Sequence, residues 1–311
     1  MTVVAGLSIA FPSIDDLWVD NPFWNGLSEF YSYTKPARLA SLEDLRDTVR
    51  ASGNSTLLML GPSRMFSSSD VQQVKAYLEA GGKVVLADDF GAGNDLLEGL
   101  ELEARFSGVL MMDALFKDHS RVMPQALNVA VEGKTLTLTM NYPTVLINTE
   151  SAKVLAWSSY FSYLGMEDGA PSDASPGGPF PIVARMGYKE GSLILISDSS
   201  LFINSMLEKT DNRDFLRSLV VGQVLIDESH SIPSRLTLAK GLILTAYSFV
   251  NLPEVKYGLA AVALILIFKV QKGRDEKSRE DDLESVIREH PEYDREILFL
   301  LKEERGGLFD G

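Results

Sequence analysis

Apolar runs alternate with amphipathic segments in the first half of the chain, and this pattern predicts an α/β domain. Uncharged runs of five residues flanked by turn residues are typical of buried strands. Apolar side chains that recur three and four positions apart predict helices with one buried face. The predicted elements are a strand Thr56–Leu60, a helix through Val71, Val74, Tyr77 and Leu78 with Ser69 or Asp70 as its N-cap, a strand Lys83–Ala87, and a helix from about Asp95. Strand, helix and strand in this order predict parallel strands.

The second half of the same domain has a different pattern. Short β-type runs separated by turn residues predict further strands, and Gly187–Gly191 predicts the turn of a β-hairpin. A stretch rich in Gly, Pro, Ser and Asp predicts a surface loop at residues 165–181. The predicted elements are strands at Leu136–Met140, Thr144–Ile147, Lys153–Trp157, Ile182–Met186 and Ser192–Ser197, and a closing helix at Asp211–Leu225.

A third pattern is the uncharged run Tyr257–Phe268, which basic residues follow closely. Twelve helical residues cover only about 18 Å, and a bilayer core needs roughly 20 residues. Extension to residues 252–270 gives a candidate transmembrane helix, with a core helix as the alternative. The preceding run Gly241–Pro253 is interpreted as an apolar surface helix or as the first arm of a hairpin.

These patterns divide the chain into five segments. The uncharged residues at the start lack the basic region of a signal peptide; they are interpreted as the end of a membrane anchor, with a buried strand as the alternative. The segments are 1–12 (possible end of an N-terminal anchor), 13–233 (extracytoplasmic α/β domain), 234–251 (apolar juxtamembrane segment), 252–270 (transmembrane helix) and 271–311 (cytoplasmic charged tail with two short helices interrupted at His290-Pro291).

Charge supports this orientation and excludes some classes of function. Five Lys and Arg residues lie within residues 269–279, so the positive-inside rule predicts a cytoplasmic tail. The formal net charge of −14 argues against nonspecific nucleic-acid binding. The chain has no cysteine and three histidines, which excludes disulfides and thiolate metal sites. We expect no cofactor, and the lipid bilayer and a protein on one or both of its sides as partners.

Polar residues follow two of the predicted strands, where α/β sheets bind ligands. Asp88 and Asp89 end the Lys83–Ala87 strand, and Gly91 and Asn94 lead into the next helix. These residues are either capping and turn residues, or a ligand or partner site, or catalytic groups. Asp198 and Ser199 follow a later strand, and a strand-to-helix cap is their alternative role. Together the six residues form a candidate site.

A candidate cation site is formed by Asp227, Glu228 and His230, with a hydrogen-bonded junction as the alternative. Their order resembles a helicase box, but the chain contains no GxxxxGK[ST] phosphate loop. The sequence therefore gives no reason to expect a nucleotide at these residues.

Several of these motifs resemble a known fold. The strand ending in GPS and the segment GGKVVLADDFGAGNDLL resemble the class I glutamine-amidotransferase-like fold, which is flavodoxin-like and three-layered. Aligned on Gly91, Asp89 takes the place of that family's cysteine nucleophile. The segments SLILISDSSLFIN, LIDESH and WNGLS resemble a noncatalytic branch of membrane-anchored, often archaeal, domains of unknown function akin to GldG-type domains. That resemblance adds Asn25 to the candidate ligand or partner residues.

Two functions follow. The first is a noncatalytic, membrane-anchored binding or scaffold protein that recognises an envelope component or a partner protein. The second is an extracytoplasmic hydrolase that uses Asp89 or the Asp198/Ser199 region. The missing cysteine and the lack of a complete triad favour the first.

Overall fold

The computed structural model describes residues 12–43, 45, 54–131, 133–165 and 177–306. The chain forms two compact units, Met1–Lys240 and Gly241–Gly311. Of the predicted N-terminal anchor only residue 12 is described, and residues 166–176 of the predicted loop also lie outside the described residues.

The first unit contains both strands and helices. Its described strands are β1 (Ala37–Leu39), β2 (Ser55–Leu60), β3 (Lys83–Ala87), β4 (Arg105–Phe106), β5 (Leu110–Asp113), β6 (Gln125–Val131), β7 (Lys134–Thr139), β8 (Leu146–Ile147), β9 (Lys153–Trp157), β10 (Ser162–Gly165), β11 (Pro181–Tyr188), β12 (Gly191–Ile196) and β13 (Gln223–Asp227). Its described helices are α1 (Ser28–Thr34), α2 (Ser68–Glu79), α3 (Gly93–Gly99), α4 (Asn204–Leu207) and α5 (Asn212–Leu219), with a 3₁₀ turn at Ser199–Phe202.

Seven strands form the central sheet in the order β1-β13-β2-β3-β12-β11-β9. Neighbours from β1 through β12 pair in parallel, and β11 pairs antiparallel with both β12 and β9. This confirms the α/β fold with a parallel-rich sheet. In chain order the parallel strands are arranged 1-5-2-3-4, whereas flavodoxin has 2-1-3-4-5. The flavodoxin-like prediction therefore applies to the type of sheet and not to its strand order.

Alternation along the central strands explains why the sheet is buried on both faces. Successive side chains of a strand point to opposite faces. In β2, Leu57 and Met59 pack with α2 and α3, while Leu58 and Leu60 pack with the 3₁₀ turn and α5 on the other face. Strands β3 and β12 alternate in the same way. Strands buried on both faces are near-continuous apolar runs, which is why the sequence identified them.

The other strand predictions agree with the structure. Strands β7, β8 and β9 lie within or across the three runs predicted between residues 136 and 157. Strands β11 and β12 pair antiparallel from Val183 with Ile196 to Tyr188 with Gly191, which confirms the hairpin.

The predicted N-cap of α2 was wrong by two or three positions. Ser67 is the N-cap; its side chain accepts a hydrogen bond from the Asp70 backbone N–H, and the Asp70 carboxylate accepts from the Ser67 N–H. This reciprocal pair is a capping box, in which the acidic residue stands three positions after the cap. Asp70 therefore takes part in the capping box as the third residue of the helix and not as the N-cap.

The predicted helix Asp211–Leu225 was also wrong in its second half. Helix α5 ends at Leu219, and at Gln223 begins β13, which lies between β1 and β2 in the sheet. Between them Gly222 has φ +63°, a conformation that glycine adopts without strain. A Cβ at Gly222 would lie 2.1 Å from the Asn54 carbonyl oxygen. The chain therefore turns sharply here, and the apolar residues that follow are a buried strand.

The second unit is helical. Helix α6 (Arg235–Asn251) leads into it, followed by α7 (Pro253–Glu289) and α8 (Arg295–Gly306). Pro253 stands at the start of α7, where its missing N–H costs no hydrogen bond. The predicted interruption at His290 is confirmed, but the helix before it is the end of the 37-residue α7 and not a short separate helix.

The described helices do not include a single one that is long and apolar enough to cross a membrane. Helix α6 and the Pro253–Lys272 part of α7 have the required length and composition only as a pair, and that pair is bent by 69° at the break.

We expect Gly222→Ala to lower the free energy of unfolding by about 1–3 kcal/mol, because the new methyl group meets the Asn54 carbonyl at a left-handed backbone. Urea denaturation followed by circular dichroism measures the change. The control is Gly187→Ala in β11, where a Cβ would meet no atom within 4 Å. Equal stability of Gly222→Ala and the unchanged protein would contradict the proposed turn geometry.

Candidate functional site

The predicted polar residues lie where three of the parallel strands end. Strands β13, β2, β3 and β12 are consecutive neighbours in the sheet, and carboxyl ends of parallel strands meet at one edge. Asp88 and Asp89 follow β3, Asp198 and Ser199 follow β12, and Asp227 ends β13. The structure therefore brings these two groups of candidate residues to a single edge.

Asp88 holds the turn after β3 together. Its side chain is 3% exposed, and its two carboxylate oxygens accept hydrogen bonds from the backbone N–H groups of Asp89 (2.8 Å), Gly91 (2.9 Å) and Gly93 (2.7 Å). Burial raises the pKa of Asp88, although the three N–H donors oppose this shift. A Cβ at Gly91 would lie 2.4 Å from the Pro62 carbonyl oxygen. Asp88 and Gly91 thus form a closed turn that starts α3.

Asp89 and Asp198 form an interacting acid pair across this edge. Asp89 is partly buried and accepts a 2.7 Å hydrogen bond from the Ser199 backbone N–H. Asp198 is fully buried and accepts from the N–H groups of Asn141 (2.7 Å) and Ser200 (2.8 Å). Both carboxylates are therefore bound by backbone donors from loops that follow different strands.

Burial raises the pKa of Asp89 to about 6; the hydrogen bonds from Ser199 oppose the shift, and the nearby charge of Asp88 adds to it. Burial and then the charge of Asp89 raise the pKa of Asp198 well above its usual range. Two carboxylates in one desolvated place cannot both ionise easily. The Asp89–Asp198 pair therefore retains protons at a pH where exposed aspartates have lost them.

Ser199 lies beside this pair, and its partner among the described residues is a carboxylate and not a histidine base. Its side chain is 5% exposed, and its hydroxyl lies 3.4 Å from the position of a Cβ at Gly61. A nucleophilic serine needs both access to substrate and a base within hydrogen-bond reach. Its hydrogen-bond partner in this edge is Asp89, whose carboxylate is itself shared with the backbone.

Asn94 and Asn25 do not join the acid pair. The Asn94 side chain donates to the Phe106 carbonyl oxygen and accepts from the Phe106 N–H, both at 2.9 Å, which attaches the start of α3 to β4. Asn25 accepts a 2.9 Å bond from Asn21 and donates to the Asp16 carboxylate within the loop before α1. The predicted seven-residue site is thus divided between one shared edge and two local contacts.

The three candidate cation ligands do not converge, because Asp227 and His230 pair with each other and Glu228 pairs with an arginine. His230 Nδ1 lies 2.6 Å from the Asp227 carboxylate. Glu228 instead accepts a 2.8 Å hydrogen bond from Arg38 Nε, and Nη1 of the same guanidinium pairs with Asp20. No group of three acidic or histidine side chains in the described part of the chain is arranged to hold a metal ion. These residues instead join the end of β13 to its neighbours.

His230 is the centre of that junction. It is 5% exposed, stacks on Phe66 with ring centroids 3.9 Å apart, and lies 3.6 Å from the Asp70 carboxylate through Nε2. Its carbonyl oxygen accepts from the N–H groups of Ser63 and Arg64 after β2. Burial alone would lower the pKa of His230, but the hydrogen bond and charge of Asp227, with those of Asp70, raise it.

Asn204 is an organising residue that the sequence did not identify. Its buried side chain donates to the carbonyl oxygens of Asn21 and Phe23, and its Oδ1 accepts a 2.9 Å bond from the Glu29 N–H. It thereby connects α4 to the loop before α1. One polar residue after the apolar run LFI was its only signal in the sequence.

The fold and this edge define an α/β domain with a parallel-rich sheet and polar strand ends. The chain belongs to the family described as domain of unknown function DUF4350, whose model matches residues 19–220. This confirms the expectation of a domain of unknown function. None of the curated proteins matches the chain at a significant level.

Solved structures with a similar arrangement include three that differ widely in size. The mmIFT52 N-terminal domain has a TM-score of 0.43 and 16% identity, covering 55% of this chain and 77% of its own. The β-galactosidase from Bacillus circulans sp. alkalophilus has a TM-score of 0.33 and 17% identity, and the match covers 53% of this chain and 21% of the β-galactosidase. The exo-β-1,4-mannosidase Op5Man5 from Opitutaceae bacterium strain TAV5 has a TM-score of 0.31 and 12% identity, and the match covers 54% of this chain and 25% of the mannosidase.

The chain thus spans about a fifth to a quarter of the length of these two glycosidases. At these identities and TM-scores the three structures provide no argument about what the chain does.

We expect the free energy of unfolding to fall as the pH rises above 6.5, because the raised pKa of His230 means that the folded state binds its proton more tightly. This contribution is complete below pH 6.5 and is lost as the pH rises through the folded-state pKa. Urea titrations between pH 6 and 9 should therefore show a steeper fall for the unchanged protein than for His230→Gln.

His119→Gln is the matched control, because the His119 side chain is 75% exposed. The free energy of unfolding of His119→Gln should depend on pH as steeply as that of the unchanged protein. Parallel curves for the unchanged protein and His230→Gln would contradict the role of the buried His230–Asp227 pair.

Proposed function

We propose that this chain is a noncatalytic, membrane-anchored binding or scaffold protein whose extracytoplasmic α/β domain recognises an envelope component or a partner protein. The relation to GldG-type domains and an archaeal origin belong to this proposal. The family match is compatible with it and names no activity.

The observation that carries the noncatalytic part is the use of the edge carboxylates by the protein's own backbone. Asp88 binds three N–H groups, Asp198 binds two, and Asp89 binds the N–H of Ser199. A catalytic carboxylate must present an oxygen to substrate, and a catalytic serine must be reachable. Asp198 is 0% exposed and Ser199 is 5% exposed, so these two residues stabilise strand ends more readily than they perform chemistry.

The membrane part is supported by apolar surface on the second unit. Leu264, Ile265 and Phe268 of α7 are between 55% and 68% exposed. An exposed apolar surface of this kind marks a protein or membrane contact. Five Lys and Arg residues follow directly within residues 269–279, so the positive-inside rule favours a cytoplasmic tail.

The hydrolase alternative is favoured by one observation, the raised pKa of Asp89. A carboxylic acid that titrates near pH 6 is suited to proton transfer at neutral pH. Asp89 is also the only member of the acid pair that is not fully buried. The hydrolase alternative therefore predicts that removal of the Asp89 carboxylate abolishes turnover, whereas the binding function predicts an effect on stability alone.

We expect Asp89→Asn to stabilise the protein above pH 6 by about 1–3 kcal/mol, since the cost of ionising a carboxyl whose pKa burial raises to about 6 is removed. The folded state binds this proton more tightly, so the gain should shrink as the pH falls toward 4. An asparagine Oδ1 can still accept from the Ser199 N–H. Urea denaturation at pH 4.5 and 7.5 measures the difference.

Glu98→Gln, an exposed change on α3, is the control and should alter stability by no more than about 0.5 kcal/mol. The same samples are assayed with chromogenic ester, amide and glycoside substrates. We expect no turnover by either protein. Hydrolysis by the unchanged protein that Asp89→Asn abolishes would overturn the noncatalytic proposal in favour of the hydrolase.

We expect the full chain to remain in the membrane pellet after a carbonate wash, and Leu264→Lys with Ile265→Lys to release it. Each lysine near the centre of a span costs about 3 kcal/mol of insertion free energy. Leu300→Lys with Leu301→Lys in α8 is the matched control, because these leucines are similarly exposed. Release of all three proteins by carbonate would overturn the membrane anchor.

Orientation is tested by protease treatment of sealed inverted vesicles. A cytoplasmic tail at residues 274–311 should be digested there and protected in right-side-out vesicles. The opposite result would reverse the proposed sides of the α/β domain and the tail.

A further inference from the structure

A concave aromatic surface lies on the first unit away from the acid pair. We call it the aromatic groove; its lining includes Phe116, Leu127, Asn128, Trp157, Tyr160 and Phe161. It encloses about 490 Å³, within the range of roughly 300–1,000 Å³ that ligand sites occupy. Trp157, Tyr160 and Phe161 are 47%, 80% and 53% exposed. Large rings exposed around one cavity are typical of a binding site rather than of a solvated surface.

A buried carboxylate fixes the shape of the groove. Asp113 is 0% exposed and accepts hydrogen bonds from the N–H groups of Leu115 (2.8 Å) and Phe116 (2.7 Å). Its other oxygen accepts from the Ser159 hydroxyl, which in turn accepts from the Phe161 N–H at 2.9 Å. The loops after β5 and β9 are thus joined, and the Phe116 and Phe161 rings lie 5.9 Å apart. The backbone that carries Phe116 and Phe161 is therefore fixed before any ligand arrives.

An irregularity in β6 brings a polar group to the same groove. The pairing of β6 with β7 shifts register between Ala126 and Val129, and Asn128 there has φ +59°. Asparagine tolerates this left-handed conformation better than most residues. Such bulges re-aim side chains beside binding sites. Leu127 and Asn128, both exposed, consequently face the cavity.

The chemistry of the lining indicates an uncharged ligand with hydroxyl groups. Among the described residues, those that line the groove include no charged side chain, on a protein of net charge −14. Trp157, Tyr160 and Asn128 add an indole N–H, a phenol O–H and a carboxamide to the lining. A pyranose ring has one face of C–H groups, which packs on the electron-rich face of an aromatic ring, and a rim of hydroxyls. We propose that the aromatic groove binds a neutral saccharide.

A proline-rich peptide is the competing ligand, because such peptides also dock on aromatic grooves. An extended polyproline helix rises about 3.1 Å per residue and needs rings arranged along a line. Here four rings, those of Phe116, Trp157, Tyr160 and Phe161, line a single cavity. This arrangement favours a compact cyclic ligand over an extended chain.

Binding is measured with the full chain in lauryldimethylamine oxide, a detergent without a sugar headgroup. Cellobiose, lactose, maltose and diacetylchitobiose are titrated while tryptophan fluorescence and calorimetric heat are followed. We expect at least one to bind, and Trp157→Ala or Tyr160→Ala to weaken that binding about tenfold or more. Glucuronate and a decaproline peptide serve as charged and peptide probes, and neither should bind.

Trp24→Ala is the matched control, because Trp24 is 67% exposed and is not among the residues that line the groove. Its affinity for the sugar should be unchanged. The proposal is overturned if no neutral sugar binds up to about 10 mM, tenfold above the ~1 mM regime of weak binding. It is also overturned if Trp157→Ala leaves sugar binding unchanged, or if decaproline binds in its place.

This inference rests on the proposed binding function and gives it a ligand class. Failure of the sugar titration would leave the carbonate and turnover results standing, since those depend on α7 and Asp89. Hydrolysis of a bound sugar would instead support the saccharide site and overturn the noncatalytic function.

Discussion

The structure depends on the burial of the central strands on both faces. Once both sides of β2, β3 and β12 are covered, the backbone there can pair only within the sheet, and a polar side chain within a strand needs its own hydrogen-bond partner, as Ser55 and Thr56 at the start of β2 have. Buried carboxylates, which need several donors, then lie where the strands end and loop N–H groups are available. The concentration of Asp88, Asp198 and Asp227 at a single edge follows from this constraint before any function is considered.

The same constraint separates what the sequence revealed from what it did not. A buried strand such as Lys83–Ala87 is encoded by a local apolar run. Its predicted bounds match the structure because that run can be recognised without reference to distant residues. Strand β13 was predicted as helix because its place depends on contacts with residues 37–39 and 55–58, far away in the chain. The left-handed turn at Gly222 was visible in the sequence only as a glycine.

The candidate site was predictable in part for a similar reason. Residues that follow parallel strands share an edge, so Asp88, Asp89, Asp198 and Ser199 were correctly expected to lie together. Whether a carboxylate faces solvent or accepts from a backbone N–H depends on the exact path of the loops around it. The periodicity of the sequence carries no information about that path. The aromatic groove was missed because its rings come from loops separated by more than forty residues, and Asp113 joins them only in the folded chain.

The position of β13 links the order of synthesis to the completion of the sheet. Strand β1 pairs only with β13 in this sheet, and β13 also covers the free side of β2. Until residues 223–227 have left the ribosome, β1 has no partner and β2 is an open edge, which is prone to intermolecular pairing. The apolar helices α6 and α7 follow immediately. The sheet is therefore completed only when the uncharged run Tyr257–Phe268 is about to be synthesised.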